Sequence, residues 1–299
     1  MSSILTRRWK GLRRRQVITL AGHRLELPAA HDLPKIRAQH PQYESEIGRL
    51  AEFLLNRQRR LAMIDVGANV GDTVASIPCG NSGSFLCIEA SPKFFAFLQR
   101  NLGSLSNVEC IHAIVTEPDE LSATTVMIES AGTGHLEPSR GSAVAATTPR
   151  RTLDQIIAEN DRFSAPNFLK IDTDGYEMKV LRGSEEVVQT CRPAIHFELS
   201  FRHWKKVSGT SWKDAARFLA SYGYHDCLLY DNVGYLIGTD RFRESSLLPA
   251  MEAYALRRDH FYLNVITMHS GSPDWEDFKK TELHHPSDSQ PNSTSEACR

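Results

Sequence analysis

The sequence predicts an α/β fold, a doubly wound and mostly parallel sheet with an N-terminal extension. Three observations predict it. Between residues 46 and 269, short apolar runs alternate with stretches of helical period, the pattern of strands crossed by helices. The run Leu61–Val66 ends in a glycine-bearing turn, DVGANVGDT at 65–73. Acidic residues close later runs at Glu89, Asp172 and Glu198, and right-handed crossovers would bring all of these ends to one edge.

The elements follow in order. Residues 1–45 are basic, then rich in Pro and His, and read as an extension that packs on or precedes the main domain. Glu44–Arg60 carries Ile47, Leu50, Ala51, Leu54 and Leu55 on one helical face. Ser84–Glu89 is a second strand. Pro92–Leu102 is a helix with Ser91 as N-cap and a proline at its first position. Asn107–Val115 is a third strand. Residues 116–150 show little period and read as a long connection, a lid or substrate loop. Thr152–Asn160 is a short helix with Thr152 as its candidate cap, and Asn167–Asp172 is a strand. Glu177–Thr190 is helical despite Gly183, and Ala194–Leu199 is a strand. Ser211–Tyr222 is a helix. Tyr224–Tyr230 and Gly234–Gly238 are strands joined by a turn, and Phe261–Thr267 is the last strand. Residues 270–299 are polar and read as a disordered tail, leaving 46–269 as the main domain.

Composition narrows the class. The formal net charge is −1, with 41% hydrophobic and 24% charged residues, so a soluble globular protein is expected and no nucleic acid partner. The charge is uneven: Arg7, Arg8, Lys10, Arg13, Arg14 and Arg15 form a basic stretch that leaves open a weak peripheral membrane contact. No apolar run approaches the ~18 residues of a membrane span, and no apolar region follows the basic start as in a secretory signal. The six cysteines, Cys79, Cys87, Cys110, Cys191, Cys227 and Cys298, lack both CxxC spacing and a neighbouring His array. That is the usage of a reducing compartment, so a cytoplasmic location is expected. No metal ligands are assigned. DTDG at 172–175 resembles part of a calcium loop but lacks its distal Glu, since position 183 is Gly.

Chemistry concentrates at the sheet edge. Gly67 and Gly71 allow tight turning and close approach of backbone to a ligand. A dinucleotide site asks for GxGxxG, but Asn69 stands at the second glycine and the third is absent. Asp65 would repel a pyrophosphate and suits a sulfonium amino acid better. Glu89 follows one helix-and-strand unit later, where a carboxylate accepts both hydroxyls of a ribose. Glu177 opens a helix, where the macrodipole favours a negative group.

The motifs DVGANVGDT, IEASP, TLDQII at 152–157, LKIDTDGYEMKVLRG and AIHFEL at 194–199 together resemble the FkbM family of methyltransferases. They run across residues 61–200, about half the chain. Two positions depart from the family's usual pattern: Asp174 stands where Glu is common, and His196 where an apolar residue is. The resemblance implies a seven-stranded class I methyltransferase sheet with S-adenosylmethionine (SAM) as cofactor. It implies Asp65, Gly67, Asn69 and Gly71 around the methionine part, Glu89 on the ribose, Ala113 near the adenine and Asp172 beside the methyl donor. Thr73, at the end of DVGANVGDT, and Ala90 and Ser91, within IEASP, complete the expected cofactor set. Members mostly methylate hydroxyls of sugars or natural products, so a small-molecule or glycan acceptor is implied.

A sugar hydroxyl is a poor nucleophile at neutral pH, so a general base is expected. The candidates are Asp172, Glu198, His135 in the irregular segment, and Glu177. Glu198 could instead pair with Arg202, His196 and Trp204 could simply pack, and the basic N-terminus could hold an anionic acceptor. Two other classes remain open at this level: a nicotinamide-dependent oxidoreductase on a similar sheet, and a non-catalytic SAM-binding or scaffold protein.

Overall fold

The computed structural model describes residues 15–77, 82–123, 125–130, 132–138, 148–258 and 260–285. Arg7, Arg8, Lys10, Arg13, Arg14, Cys79 and Cys298 lie outside them.

The chain opens with a hairpin, β1 (Arg15–Leu20) and β2 (His23–Pro28), closed by a two-residue turn at Ala21 and Gly22. Both turn residues have positive φ, 43° and 87°, the twist that suits a tight hairpin. Two helices follow, α1 (Leu33–Gln39) and α2 (Ser45–Gln58), and then strand β3 (Ala62–Val66). Helix α2 buries Ile47, Leu50, Ala51 and Leu54, the periodic face read from the sequence. Short α3 (Asp72–Ser76) leads to β4 (Ser84–Glu89), α4 (Pro92–Leu102) and β5 (Val108–His112). The Ser91 hydroxyl caps α4 by accepting from the Phe94 N–H at 3.2 Å, while Phe94, Phe97, Leu98 and Leu102 turn inward.

The chain then departs from the expected irregular connection. The run 107–115 breaks at Ala113, and β6 (Ile114–Val115) leaves the main sheet to pair with β9 (Arg150–Arg151). Between them stands a second hairpin, β7 (Thr125–Ser130) and β8 (Thr133–Pro138). Helix α5 (Leu153–Ala158) starts on a capping box in which Thr152 and Gln155 bond reciprocally. Strand β10 (Phe168–Ile171) precedes α6 (Glu177–Arg182) and α7 (Glu185–Thr190), two helices where one was expected. Gly183 stands at the break, where a Cβ would lie 2.1 Å from the Thr116 carbonyl oxygen and only glycine fits. Next come β11 (Ala194–Leu199), α8 (Phe201–His203) continuing as a wide π turn over Trp204–Ser208, and α9 (Trp212–Ser221). Strands β12 (Tyr224–Asp231) and β13 (Leu236–Arg241), helix α10 (Leu247–Ala255), β14 (Leu263–His269) and α11 (Trp275–Leu283) complete the order.

The central sheet runs β13-β12-β14-β11-β10-β3-β4-β5. The five strands from β11 to β5 are parallel, while β14 runs antiparallel to both its neighbours. Among the described residues the sheet holds eight strands, one more than the expected seven; the added one is β13, paired antiparallel to β12 at the edge. Strand order reverses between β3 and β10, which opens a crevice at their carboxyl ends.

The expected disordered tail is corrected over 275–283. Trp275 and Phe278 of α11 are buried, and Glu282 accepts from Arg49 and from the Tyr230 hydroxyl. The polar composition of this stretch hid partnered groups. Residues 286–299 lie outside the described residues. Among the described residues no helix is long and apolar enough to cross a membrane.

Candidate active site

The loop after β3 is built by contacts to its own fold. Gly67 has φ +85°, and a Cβ there would stand 1.7 Å from the Asp172 carbonyl oxygen. Its close approach is therefore to the end of β10, where the sequence had suggested a ligand. Gly71 (φ +87°) seats against Leu102 and Leu98 of α4. Asn69 sits in the left-handed region at φ 51°. Its backbone N–H donates to Glu89 Oε2 at 2.8 Å, and its side-chain amide donates to the Gly132 carbonyl at 2.7 Å. His31 Nε2 lies 3.3 Å from its Oδ1. Asn101 of α4 bonds both the Val70 carbonyl and the backbone of Glu26, so hairpin β1–β2 also holds the loop. The N-terminal extension thus braces the site.

A cavity of about 660 Å³ opens above the crevice, within the range of small-molecule sites. Of the expected cofactor residues, Gly67, Asn69, Thr73, Glu89, Ala90, Ala113 and Asp172 line it. Asp65, Gly71 and Ser91 do not. Ser91 is spent on the α4 cap and on its N–H, which donates to Glu89 Oε1 at 2.7 Å. One end of the cavity is apolar, walled by Phe94, Ala113, Ile114, Met127 and Leu136. Met127 and Leu136 come from hairpin β7–β8, so the segment expected as a lid supplies part of this wall.

Asp65 is corrected from a direct contact to a buried anchor. It is fully buried, with Lys170 Nζ 3.1 Å from its Oδ1, and the same ammonium lies 3.3 Å from Asp172 Oδ2. Burial opposes the Lys170 charge, but Asp65 and Asp172 outweigh it and hold its pKa well above the ordinary value. Lys170 faces the cavity and was missed from sequence. A lysine inside the run FLKI, in a strand covered on both faces, was the available signal.

The acids divide by what they bond. Glu89 receives two backbone N–H donors, yet burial still lifts its pKa to about 7. Glu177 does not reach the cavity: it accepts from the N–H groups of Thr173 at 2.7 Å and Gly175 at 3.0 Å, holding the turn after β10. Glu198 lines the cavity and is not the partner of Arg202, whose guanidinium donates to the Leu256 carbonyl at 2.6 Å. Burial and then the nearby Asp172 and Asp174 charges raise Glu198 well above the usual carboxylate range. Asp174, at φ 52°, is lifted to about 8 by burial and by Asp172. His135 lies in β8, and its side chain falls outside what is described.

His196 is buried against Glu46, 3.4 Å from its Oε1, which also accepts from Asn264 at 2.8 Å. Trp204 is buried and packs on Phe197. The sequence offered no pairing signal for Glu46, which precedes His196 by most of the domain. Glu44, also unflagged, lines the cavity; burial and then the Asp72 charge lift it to about 8.

A parallel sheet with a reversal at β3/β10, a glycine loop above it and a carboxylate at the next strand end define a nucleoside-cofactor enzyme of the class I methyltransferase kind. Residues 65–225, more than half of the chain, match the methyltransferase FkbM domain. The chain belongs to the FkbM methyltransferase family. The nicotinamide alternative is thereby set aside. Among solved structures, the chain is similar to methyltransferase FkbM from Methylobacillus flagellatus KT at 22% identity, over 56% of this chain and 40% of that one, with a TM-score of 0.38. It is also similar to a precorrin-6y C5,15-methyltransferase from Geobacter metallireducens GS-15, at 16% identity over 75% and 88% of the two chains and a TM-score of 0.38. A third similar structure is TYW2 of M. jannaschii in complex with AdoMet, at 12% identity over 85% and 84%, TM-score 0.38. No curated protein sequence matches the chain.

Proposed function

We propose that the protein transfers the methyl group of SAM to a hydroxyl of a sugar, glycan or natural-product acceptor. Bound SAM supplies an electrophilic methyl on a sulfonium. The chain's own residues fit it. Glu89, fixed by the Asn69 and Ser91 N–H groups, keeps free lone pairs for a ribose. Ala113, Phe94 and Met127 offer an apolar slot for adenine. Asp72 and Asp172 face the place of the two positive charges, on the ammonium and the sulfonium. A carboxylate beside the sulfonium stabilises the ground state, so that contact of Asp172 would orient the donor without itself raising the rate.

The observation that carries the hydroxyl reading is the far wall of the cavity. Beyond Asp172 it is lined by Glu198, Ser200, His203, Phe261 and Tyr262. Aromatic faces beside carboxylates and a hydroxyl suit a polyhydroxylated acceptor, and either Asp172 or Glu198 could take its proton. The acid excess on this wall argues against an anionic acceptor held there.

Incubation with isotopically labelled SAM and a panel of neutral glycans and hydroxylated natural products tests the reading. The expected product carries an alkali-stable methyl ether. Label found only in alkali-labile esters, or only on amines, would overturn the hydroxyl assignment.

A further inference from the structure

We infer that the acceptor end of the cavity is a divalent-metal site formed by Asp174, Glu198 and His203. The inference rests on the methyltransferase reading above and names how that site would take its acceptor. A carboxylate oxygen from each acid and a ring nitrogen of His203 all lie within 4.8 Å of one another, and all three residues face the cavity. A six-coordinate ion with bonds of about 2.1 Å spaces its ligands roughly 3 to 4 Å apart. The three groups therefore need to close only slightly around an ion.

A second observation points to a cation independently of that spacing. Glu198 is only 8% exposed, and no hydrogen bond or ion pair to its carboxylate is present among the described residues. A largely buried carboxylate without a partner is costly to ionise, and a bound cation offsets that cost. Lys170 cannot serve, because its ammonium is held between Asp65 and Asp172.

Placement in the sheet supports the assignment. Glu89 ends β4 and Glu198 is the penultimate residue of β11, three strand spacings away through β3 and β10. At the usual strand separation that is roughly 14 Å, so the ion would not compete for the Glu89 position. Two carboxylates with one imidazole suit Mn²⁺ or Zn²⁺ better than the all-oxygen preference of Ca²⁺. His203 is exposed on the cavity side, leaving coordination positions for water and for an acceptor oxygen. A hydroxyl ligated there would lose its proton to solvent more readily, which eases the need for a separate base.

Mn²⁺ alone, titrated into the full-length protein and followed by the electron paramagnetic resonance of the free ion, tests the site. One saturable equivalent per chain is expected, with affinity lowered at least about tenfold in both Glu198→Gln and His203→Ala. Non-saturable binding, or equal affinity in wild type and both variants, overturns the site. His203→Ala alters an exposed position, so its result stands even if Glu198→Gln misfolds. S-adenosylhomocysteine binding, measured in parallel by calorimetry, separates the two readings. Its retention in both variants alongside weakened Mn²⁺ binding supports the metal site. Its failure in wild type overturns the methyltransferase reading and leaves the Mn²⁺ result to be judged alone.

Discussion

Glu89 and Glu198 occupy equivalent places at the two ends of one cavity. Glu89 ends one parallel strand and Glu198 stands one residue from the end of another; each is 8% exposed and each faces the cavity. They differ in what they bond. Glu89 is gripped by the N–H groups of Asn69 and Ser91, whereas Glu198 has no such donor and is crowded chiefly by Asp172 and Asp174. Equal burial with unequal satisfaction separates a finished half of the site from a half that awaits something. The finished half lies under the glycine loop, where backbone donors and hairpins fix every group. The other half lies beyond β10, where Glu198 is crowded by the charges of Asp172 and Asp174.

The largest expected effect breaks the boundary between the halves. Gly67→Ala would drive a Cβ into the Asp172 carbonyl and force positive φ on an L-residue. A loss on the order of 4 kcal/mol or more is expected, read as a lowered chemical-denaturation midpoint with no measurable S-adenosylhomocysteine binding. A stable, ligand-binding Gly67→Ala protein would mean that β3 and β10 do not meet this way. Next comes Lys170→Met, which leaves Asp65 buried without its cation. Removing one partner of a buried pair costs about 3–5 kcal/mol. The double variant Asp65→Asn/Lys170→Met should recover much of that in the same denaturation assay. No recovery would remove the ion pair as the reason for the loss.

The finished half was the legible one. DVGANVGDT and IEASP carry their meaning locally, because a strand, a tight turn and the next strand's acid lie close in sequence and are joined by backbone bonds. Glu89 could therefore be placed on the cavity from sequence. Asp65 was visible as a motif residue but not its role, since whether it faces ligand or lysine depends on the β3–β10 register that sets Lys170 beside it. The far half depends on distant segments. Glu46 with His196, Glu282 with Arg49 and Tyr230, and Asp174 with Glu198 and His203 are brought together by strand order and helix packing. The β7–β8 hairpin was hidden because its turn residues and small side chains carry little apolar alternation. The eighth strand was present as an apolar run, but its edge position was not.

The contrast sharpens further at Glu89 itself. Glu89→Ala removes the acceptor for two N–H groups and for the expected ribose hydroxyls. The loss of one net charge-assisted bond is worth roughly 1.5–3 kcal/mol, so S-adenosylhomocysteine affinity should fall by at least about 10- to 100-fold. Glu198→Ala should leave that affinity within about threefold, because Glu198 lies beyond the donor's end of the cavity. Equal losses in the two variants would merge the halves and sink the comparison.

The smallest expected effect is electrostatic and concerns protons. Glu89 and Glu44 stand at about 7 and about 8 in the folded protein, against an ordinary 4.5, chiefly because burial disfavours their charge. Between pH 4.5 and 8 the folded state therefore binds more protons than the unfolded state at these groups. The stability they contribute is fully present below pH 4.5 and declines as pH rises through that window. Cationic SAM favours the ionised carboxylates, so its binding near pH 7 should release a fraction of a proton. Calorimetry in two buffers of different ionisation enthalpy reads this directly, because the observed heats then differ. A Glu89→Gln variant should release less, by the share that Glu89 contributes. Proton uptake on binding, or identical heats in both buffers, would show that the cofactor does not meet these acids.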